Sequence, residues 1–428
     1  ARVESVGAPN ALDANPDDYR LVTFEAEERG YLKSHSQPII TRLYNDYFRF
    51  ENSLDLLTNE GEWFLDSSNG DLYYKPYSDQ TITDLAFVIP VSEQLMTLTG
   101  TAGVYPATDP VENIDFRNIT FAHATWMHPS DHGYVEVSWG IYDESTTAYK
   151  FTDVPPAAIL LTHAERINFD GCTIKHVGGF GLIAEGKCSE CSFDDMVIDD
   201  VSGTAIYFTG PLLVRGGVAG ISYVLTGLSV TNSQLSRIGQ DFWGSVAALW
   251  NFARDITFED NELFHLSYAG IFSRFHGPYS VKRNRFHHFM QKMTEGGAIH
   301  TQTDQHNSVY DENFIYKIDP DGFSATQGRW AGIFVDDASR NITGDSNVIS
   351  AKSDLLDPDR NPNLWDTFLP EGSWTNTHYD DDQPAYLTEG AGKEWSSLVN
   401  GGTRRINWTT PDRLRLDIAD TESATLLA

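Results

Sequence analysis

No stretch of this chain approaches eighteen consecutive apolar residues, so no membrane-spanning helix is expected from it. Positive charge is scarce. Lys and Arg number 30 against 61 Asp and Glu, and the net charge of −31 repels nucleic-acid phosphates and anionic lipid alike, so neither is expected as a partner. Cysteine is nearly absent: Cys172, Cys188 and Cys191 are too few for a disulfide scaffold. The Cys-Ser-Glu-Cys spacing has no second pair or His pair to complete a zinc set, so small core cysteines are expected, with one local disulfide as the alternative. The chain opens on Ala1 without a basic-then-apolar leader, as expected where a secretion signal has been removed or was not included, and a secreted or periplasmic location is expected. Helical periodicity is poor throughout.

What the chain has is repetition. The segments NIDFRNITF (113 to 121), RINFDGCTI (166 to 174), DITFEDNEL (255 to 263), YSVKRNRF (279 to 286), SVYDENFI (308 to 315) and ITGDSNVI (342 to 349) each read as an alternating strand, a polar bend and a second apolar step. The late copies share an asparagine at the bend, Asn261, Asn284, Asn313 and Asn347, at spacings of 23, 29 and 34 residues. Asn tolerates the left-handed backbone of a sharp bend, and its amide can bond to an identical amide stacked above it, so an asparagine ladder is expected. A second theme follows the bends: GLIA (181 to 184), TAIYF (204 to 208), AGIFS (269 to 273), GAIHT (297 to 301) and AGIFV (331 to 335). Several short strands per repeat, without the Asn-Gly or Asp-Gly pairs of hairpin turns, predict an all-β protein whose body is a right-handed parallel β-helix.

The ends differ. GEWFLDSSNGDLYYKPY (61 to 77) carries a Ser-Asn-Gly turn between two strand patterns, so residues 1–110 are expected to form a small antiparallel β unit with a hairpin. The solenoid is expected over 111–352, followed by irregular loops packing on it over 353–428, where Asp380, Asp381 and Asp382 read as solvated acid rather than a calcium site.

Stacking then generates a candidate site. Successive coils lie about 4.8 Å apart, so aligning the second theme on Gly270, Ala298 and Gly332 puts Ile271, Ile299 and Ile333 inward and Phe272, His300 and Phe334 outward. Two residues on, Arg274, Gln302 and Asp336 also face out, one above another, with Asp304 close beside. A polar strip of Arg274, His300, Gln302 and Asp336, with Asp337 next in line and Trp330, Phe272 and Phe334 at its flanks, has the composition of a sugar-binding floor, because rings stack on pyranose faces while polar groups fix hydroxyls. Asp337 points opposite to Asp336 unless the strand has ended, so one of the two is expected to be structural.

GEWFLDSSNGDLYYKP, NIDFRNITFAHATW, YAGIFSRF, MTEGGAIHT and AGIFVDDASRNIT, in that order, resemble the β-helix proteins of glycoside hydrolase family 141 and its neighbours over roughly residues 60 to 350. The resemblance implies a β-helix fold and a carbohydrate substrate, and it implies a catalytic pair carried over to Glu295 and Asp336, with Glu295-Gly296-Gly297 standing where the family usually has Asp-Gly-Gly. It also implies β-helix turns before the Gly-Glu-Trp hairpin, for which this chain has little room, so a companion chain or self-association is expected to cover that end. Spacing works against the pair: Glu295 lies seven residues before Gln302, roughly 23 Å of extended chain, unless the backbone bends at Gly296-Gly297. Asp304 with Asp336 is the second choice.

As a hydrolase, the chain would use Glu295 as acid and Asp336 as nucleophile or base, with Arg274 holding Asp336 ionised or binding an acidic sugar, and no cofactor or metal is required. A polysaccharide lyase using a histidine base, and a non-catalytic carbohydrate-binding solenoid, remain alternatives.

Overall fold

The chain divides into two units, Ala1–Asp382 and Gln383–Ala428. This computed structural model describes residues 3–9, 20–25, 50–101, 109–134, 138–141, 154–210, 225–320, 330–336, 339–350, 364–366 and 371–375, all in the first unit.

Within it the chain winds as a right-handed parallel β-helix with three parallel sheets of 10, 9 and 8 strands, each coil contributing one short strand to each sheet. One coil runs Ala248–Arg254 in the first sheet, Ile256–Glu259 in the second and Glu262–Leu266 in the third, before Ile271–His276 re-enters the first sheet one layer up. The alternation seen in the sequence sets the facing. Ile271, Ile299 and Ile333 are register partners and fully buried inside the coil, each such side chain contributing about 1.5–3 kcal/mol of hydrophobic burial. Aromatic rings extend the same stacking elsewhere in the core: Phe116 on Phe169 at 4.8 Å and Phe169 on Phe193 at 5.4 Å between centroids.

The asparagine ladder is present. Asn261 donates to Asn284, Asn284 to Asn313 and Asn313 to Asn347, at 3.0, 3.0 and 3.1 Å, and all four are fully buried. Each Nδ2 also donates to a backbone carbonyl of a neighbouring strand, and the Oδ1 of Asn284, Asn313 and Asn347 also accepts a backbone N–H from the preceding coil. The expected reason for asparagine needs correction, because the left-handed residue is the one before it: Asp260, Arg283, Glu312 and Ser346 have φ of 60, 55, 57 and 55°. The asparagine is there to pair its amide. Where the ladder runs out, Ser233 still accepts part of the pattern, and the buried Cys172 occupies the bend of an earlier coil. All three cysteines are buried and free, and burial pushes the Cys188 thiol up to about 12.

The solenoid is longer than the expected 111–352. Met96–Thr99 already pairs in parallel with Ala157–Thr162, and Leu364–Asp366 and Glu371–Thr375 extend the first and second sheets at the other end. The first coils show no regular repeat because a long segment interrupts them: 32 residues lie between Thr120–Ala124 and Ala157–Thr162, where later coils use between 2, before Phe180–Glu185, and 13, before Trp330–Val335. The rest of 353–428 lies outside the described residues, Asp380, Asp381 and Asp382 included. The hairpin is where its turn places it, Trp63–Asp66 against Asp71–Tyr74, with Gly70 at φ +81° closing the turn. Among the described residues most large exposed apolar side chains fall in this region, Trp63 at 64%, Val88 at 62%, Ile89 at 66% and Val91 at 88% exposure. No helix among the described residues is long and apolar enough to cross a membrane.

Candidate functional site

Two neighbouring columns on the outer face of the first sheet hold the candidate residues. One runs Tyr207, Leu249, Phe272, His300, Phe334; the next runs Glu185, Thr209, Asn251, Arg274, Gln302. Asp336 extends the second column, because its N–H donates to Thr301 O at 2.9 Å just past the Thr301 and Val335 pair. Arg274, Gln302 and Asp336 therefore do stand one above another.

Facing out does not mean facing water. Phe272, His300, Phe334 and Trp330 are 0, 3, 4 and 3% exposed, so the rings expected as a stacking floor are covered, and Trp330 packs in the core beside Gly296. Part of the cover comes from the segment inserted between the early coils, which had no repeat to make it legible. Trp139 stacks on Phe272 at 4.6 Å, while Trp126 packs edge-on against Tyr134 and Phe242, and the Tyr134 hydroxyl donates to Gly140 O at 3.4 Å, one residue on from Trp139. Trp139 itself stays half-buried. Its N–H donates to Gly244 O and its carbonyl accepts from Thr204 Oγ1, which fix the segment to the solenoid. Its signal in the sequence was indirect: a Trp in an interruption too long to be a corner.

Glu295 sits at the entry to the strand Gly296–Gln302, with φ 61°. The bend expected at Gly296-Gly297 is made by Glu295 itself, and the glycines serve another purpose. A Cβ on Gly297 would meet Ala331 O at 2.5 Å, and one on Gly296 would meet the Tyr268 ring at 2.8 Å. Tyr268, buried, donates its hydroxyl to Glu295 O at 2.6 Å and so pins the turn. Burial raises the Tyr268 phenol well above its ordinary value, and the charges of Glu295 and Asp336 push it further in the same direction.

His300 meets one of the two acids directly. Its Nε2 lies 3.3 Å from Asp336 Oδ2. With an ionised Asp336 the neutral ring carries its proton on Nε2, leaving Nδ1 as an acceptor with no partner, fully buried. Burial lowers the imidazole's pKa, against Asp336 and Glu295, which both favour its charged form. Phe272 and Phe334 hold the ring edge-on at 4.5 and 4.9 Å.

Arg274 does not hold Asp336. The guanidinium lies 4.6 Å from the centroids of both Trp139 and Phe275, and burial draws its pKa down to about 10. Asp304 is not brought to this face either. It belongs to the second sheet, where Arg340 Nε donates to Oδ2 and Asn341 Nδ2 to Oδ1, each at 2.8 Å. Burial opposes its ionised form, but the bonds from Asn341 and Arg340 prevail and hold the carboxyl at about 2, which suits a structural anion rather than a proton carrier. Asp337 lies outside the described residues. Among the described residues no three His, Cys, Asp or Glu side chains come together in a way that could hold a metal ion.

No family model and no curated protein matches the chain. Its fold is similar to that of a solved glycoside hydrolase, with a TM-score of 0.67 and 23% identity over 88% of this chain and 65% of that one, so the chain spans less than two thirds of that structure. Two looser likenesses are to XylC in complex with xylose, at a TM-score of 0.37, 10% identity and coverage of 57% and 36%, and to the A-module of the Azotobacter vinelandii mannuronan C-5 epimerase AlgE6, at 0.34, 9% and coverage of 63% and 74%.

Proposed function

We propose that the chain is a glycoside hydrolase acting on a poly- or oligosaccharide at the outer face of the first sheet, with Glu295 and Asp336 as its working carboxyl groups. The observation that carries this reading is a chain of contacts running from one acid to the other: the Tyr268 hydroxyl donates to Glu295 O at 2.6 Å, its ring lies edge-on to that of His300 at 6.5 Å between centroids, and His300 Nε2 lies 3.3 Å from Asp336 Oδ2, although Glu295 comes seven positions before Gln302, the neighbour of Asp336. Asp304, by contrast, is engaged on another sheet.

In this reading Asp336, held at 3.3 Å from Nε2 of His300, attacks the anomeric carbon or activates a water, and Glu295 protonates the departing glycosidic oxygen. The half-buried Trp139 offers the ring for a pyranose face that Trp330 does not. The likeness to a solved glycoside hydrolase supports the scaffold, whereas the activity rests on the site. Membership of the family 141 group, and action outside the cytoplasm on an extended glycan, belong to the same proposal.

Reducing-sugar release across a glycan panel tests it. Asp336→Asn is expected to lower turnover by about 10³-fold or more on every linkage. Glu295→Gln is expected to retain far more of its activity on aryl glycosides, whose leaving groups need no proton, than on natural linkages. If every glycan stays intact with the wild-type protein, the hydrolase reading fails. A lyase on the same face has one observation in its favour, the unpaired cation of Arg274 beside the neutral His300, and it would announce itself by unsaturated products absorbing in the ultraviolet.

A further inference from the structure

Arg274 differs from the other part-buried arginines among the described residues. Arg237 pairs with Asp199, Arg283 with Glu259 and Asp260, and Arg285 with Glu262. In a chain where acids outnumber bases 61 to 30, a carboxylate partner is easy to supply, and Arg274 has none. Along its column Asn251 and Gln302 flank it, so Asp336 is two strands away, about 10 Å, and Glu185 three, about 14 Å. Its Nε is buried without a hydrogen-bond partner, and on the adjacent strand Asn251 Oδ1, in a side chain only 7% exposed, is an acceptor without a donor.

Leaving such groups unpaired is unfavourable, because a buried donor or acceptor loses its water and gains nothing in exchange, and a buried charge loses more. Stacking on Trp139 and Phe275 compensates in part and leaves the in-plane N–H groups free. That planar fork matches two oxygens of one anion. A neutral sugar would satisfy the hydrogen bonds but not the charge.

We propose that the glycan bound here carries an anionic substituent, a uronate carboxylate or a sulfate ester, which docks on the Arg274 guanidinium between Trp139 and Phe275 while an adjacent hydroxyl donates to Asn251 Oδ1. This rests on the carbohydrate reading of the face and adds the charge class of the substrate.

Isothermal titration tests it in the Asp336→Asn background, which leaves ligands uncut. The probes are oligogalacturonides, sulfated carrageenan oligosaccharides, and the carboxyl-reduced or desulfated counterpart of each. The expected result is an acidic member bound at least ten-fold more tightly than its neutral counterpart, with the ratio shrinking as salt rises. Which acid is preferred tells carboxylate from sulfate. Arg274→Gln should collapse the ratio toward one, and Arg274→Lys should keep part of it. Equal or unmeasurable affinity for both members of every pair overturns the proposal, as does an unchanged ratio in a folded Arg274→Gln protein. Should Arg274→Gln fail to fold, the ratio and its salt dependence in the parent protein still decide. Acid-selective binding by a wild-type protein that cuts none of the probes or the glycan panel would sink the hydrolase reading and leave the acid recognition standing.

Discussion

The asparagine ladder and the Arg274 column are built by the same stacking, and they end in opposite states. At the ladder every amide finds partners: Asn284 alone bonds to Asn261, Asn313 and Phe258 O. On the outer face of the first sheet, polar atoms on three successive strands, Asn251 Oδ1, Arg274 Nε and His300 Nδ1, are buried with none. A parallel β-helix brings like positions into register, so pairing is easily achieved. On this face it is withheld on three strands in a row.

Three measurements would break or sharpen that contrast. The largest effect is expected at the ladder: Asn284→Ala leaves several buried backbone and amide groups unpaired and should cost about 2–4 kcal/mol of stability in denaturant unfolding, with little change in glycan binding. A loss below 0.5 kcal/mol would show that the ladder is ornament. On the other face the order of effects should reverse. His300→Phe removes an unsatisfied buried ring nitrogen from an aromatic surround, so stability should stay within about 1 kcal/mol of wild type while activity falls more than ten-fold. A destabilisation as large as that at Asn284 would make His300 a structural residue.

The smallest effect concerns Asp304. Its folded pKa is depressed, so the stability it contributes is fully present above the ordinary carboxylate value and is lost as pH falls from about 4 toward about 2. Its side chain is 33% exposed and that of Arg340 55%, so the screened contribution should be under about 1 kcal/mol. Comparing wild type with Asp304→Asn, the stability difference should be present at pH 6 and mostly lost by pH 2. A difference that persisted in acid would mean that the Arg340 contact is not ionic.

How much was legible follows from the same distinction. Asn261, Asn284, Asn313 and Asn347 announced themselves because a ladder needs the same residue on every rung, and the inward Ile271, Ile299 and Ile333 because strand alternation has a fixed period. The column of Arg274, Gln302 and Asp336 followed from aligning those inward residues. The cover did not. Trp139, Tyr134 and Phe242 come from irregular stretches, and nothing periodic says which face they close. For that reason Phe272 and Trp330 read as an open floor and proved to be buried. The bend at Glu295 was placed on its glycines because glycine is the usual left-handed residue, whereas here Gly297 is small because Ala331 O presses against it.

Sequence pattern is enough for the winding, the inward face and the register of the late coils, because each is a short-range pattern repeated at a spacing that stacking converts into contact. Long-range packing was needed to settle which outward residues are dry, which acid meets His300, and which cation has no partner. Those outcomes depend on segments far apart in the chain closing over one wall, and burial of that kind carries no period to be read in advance.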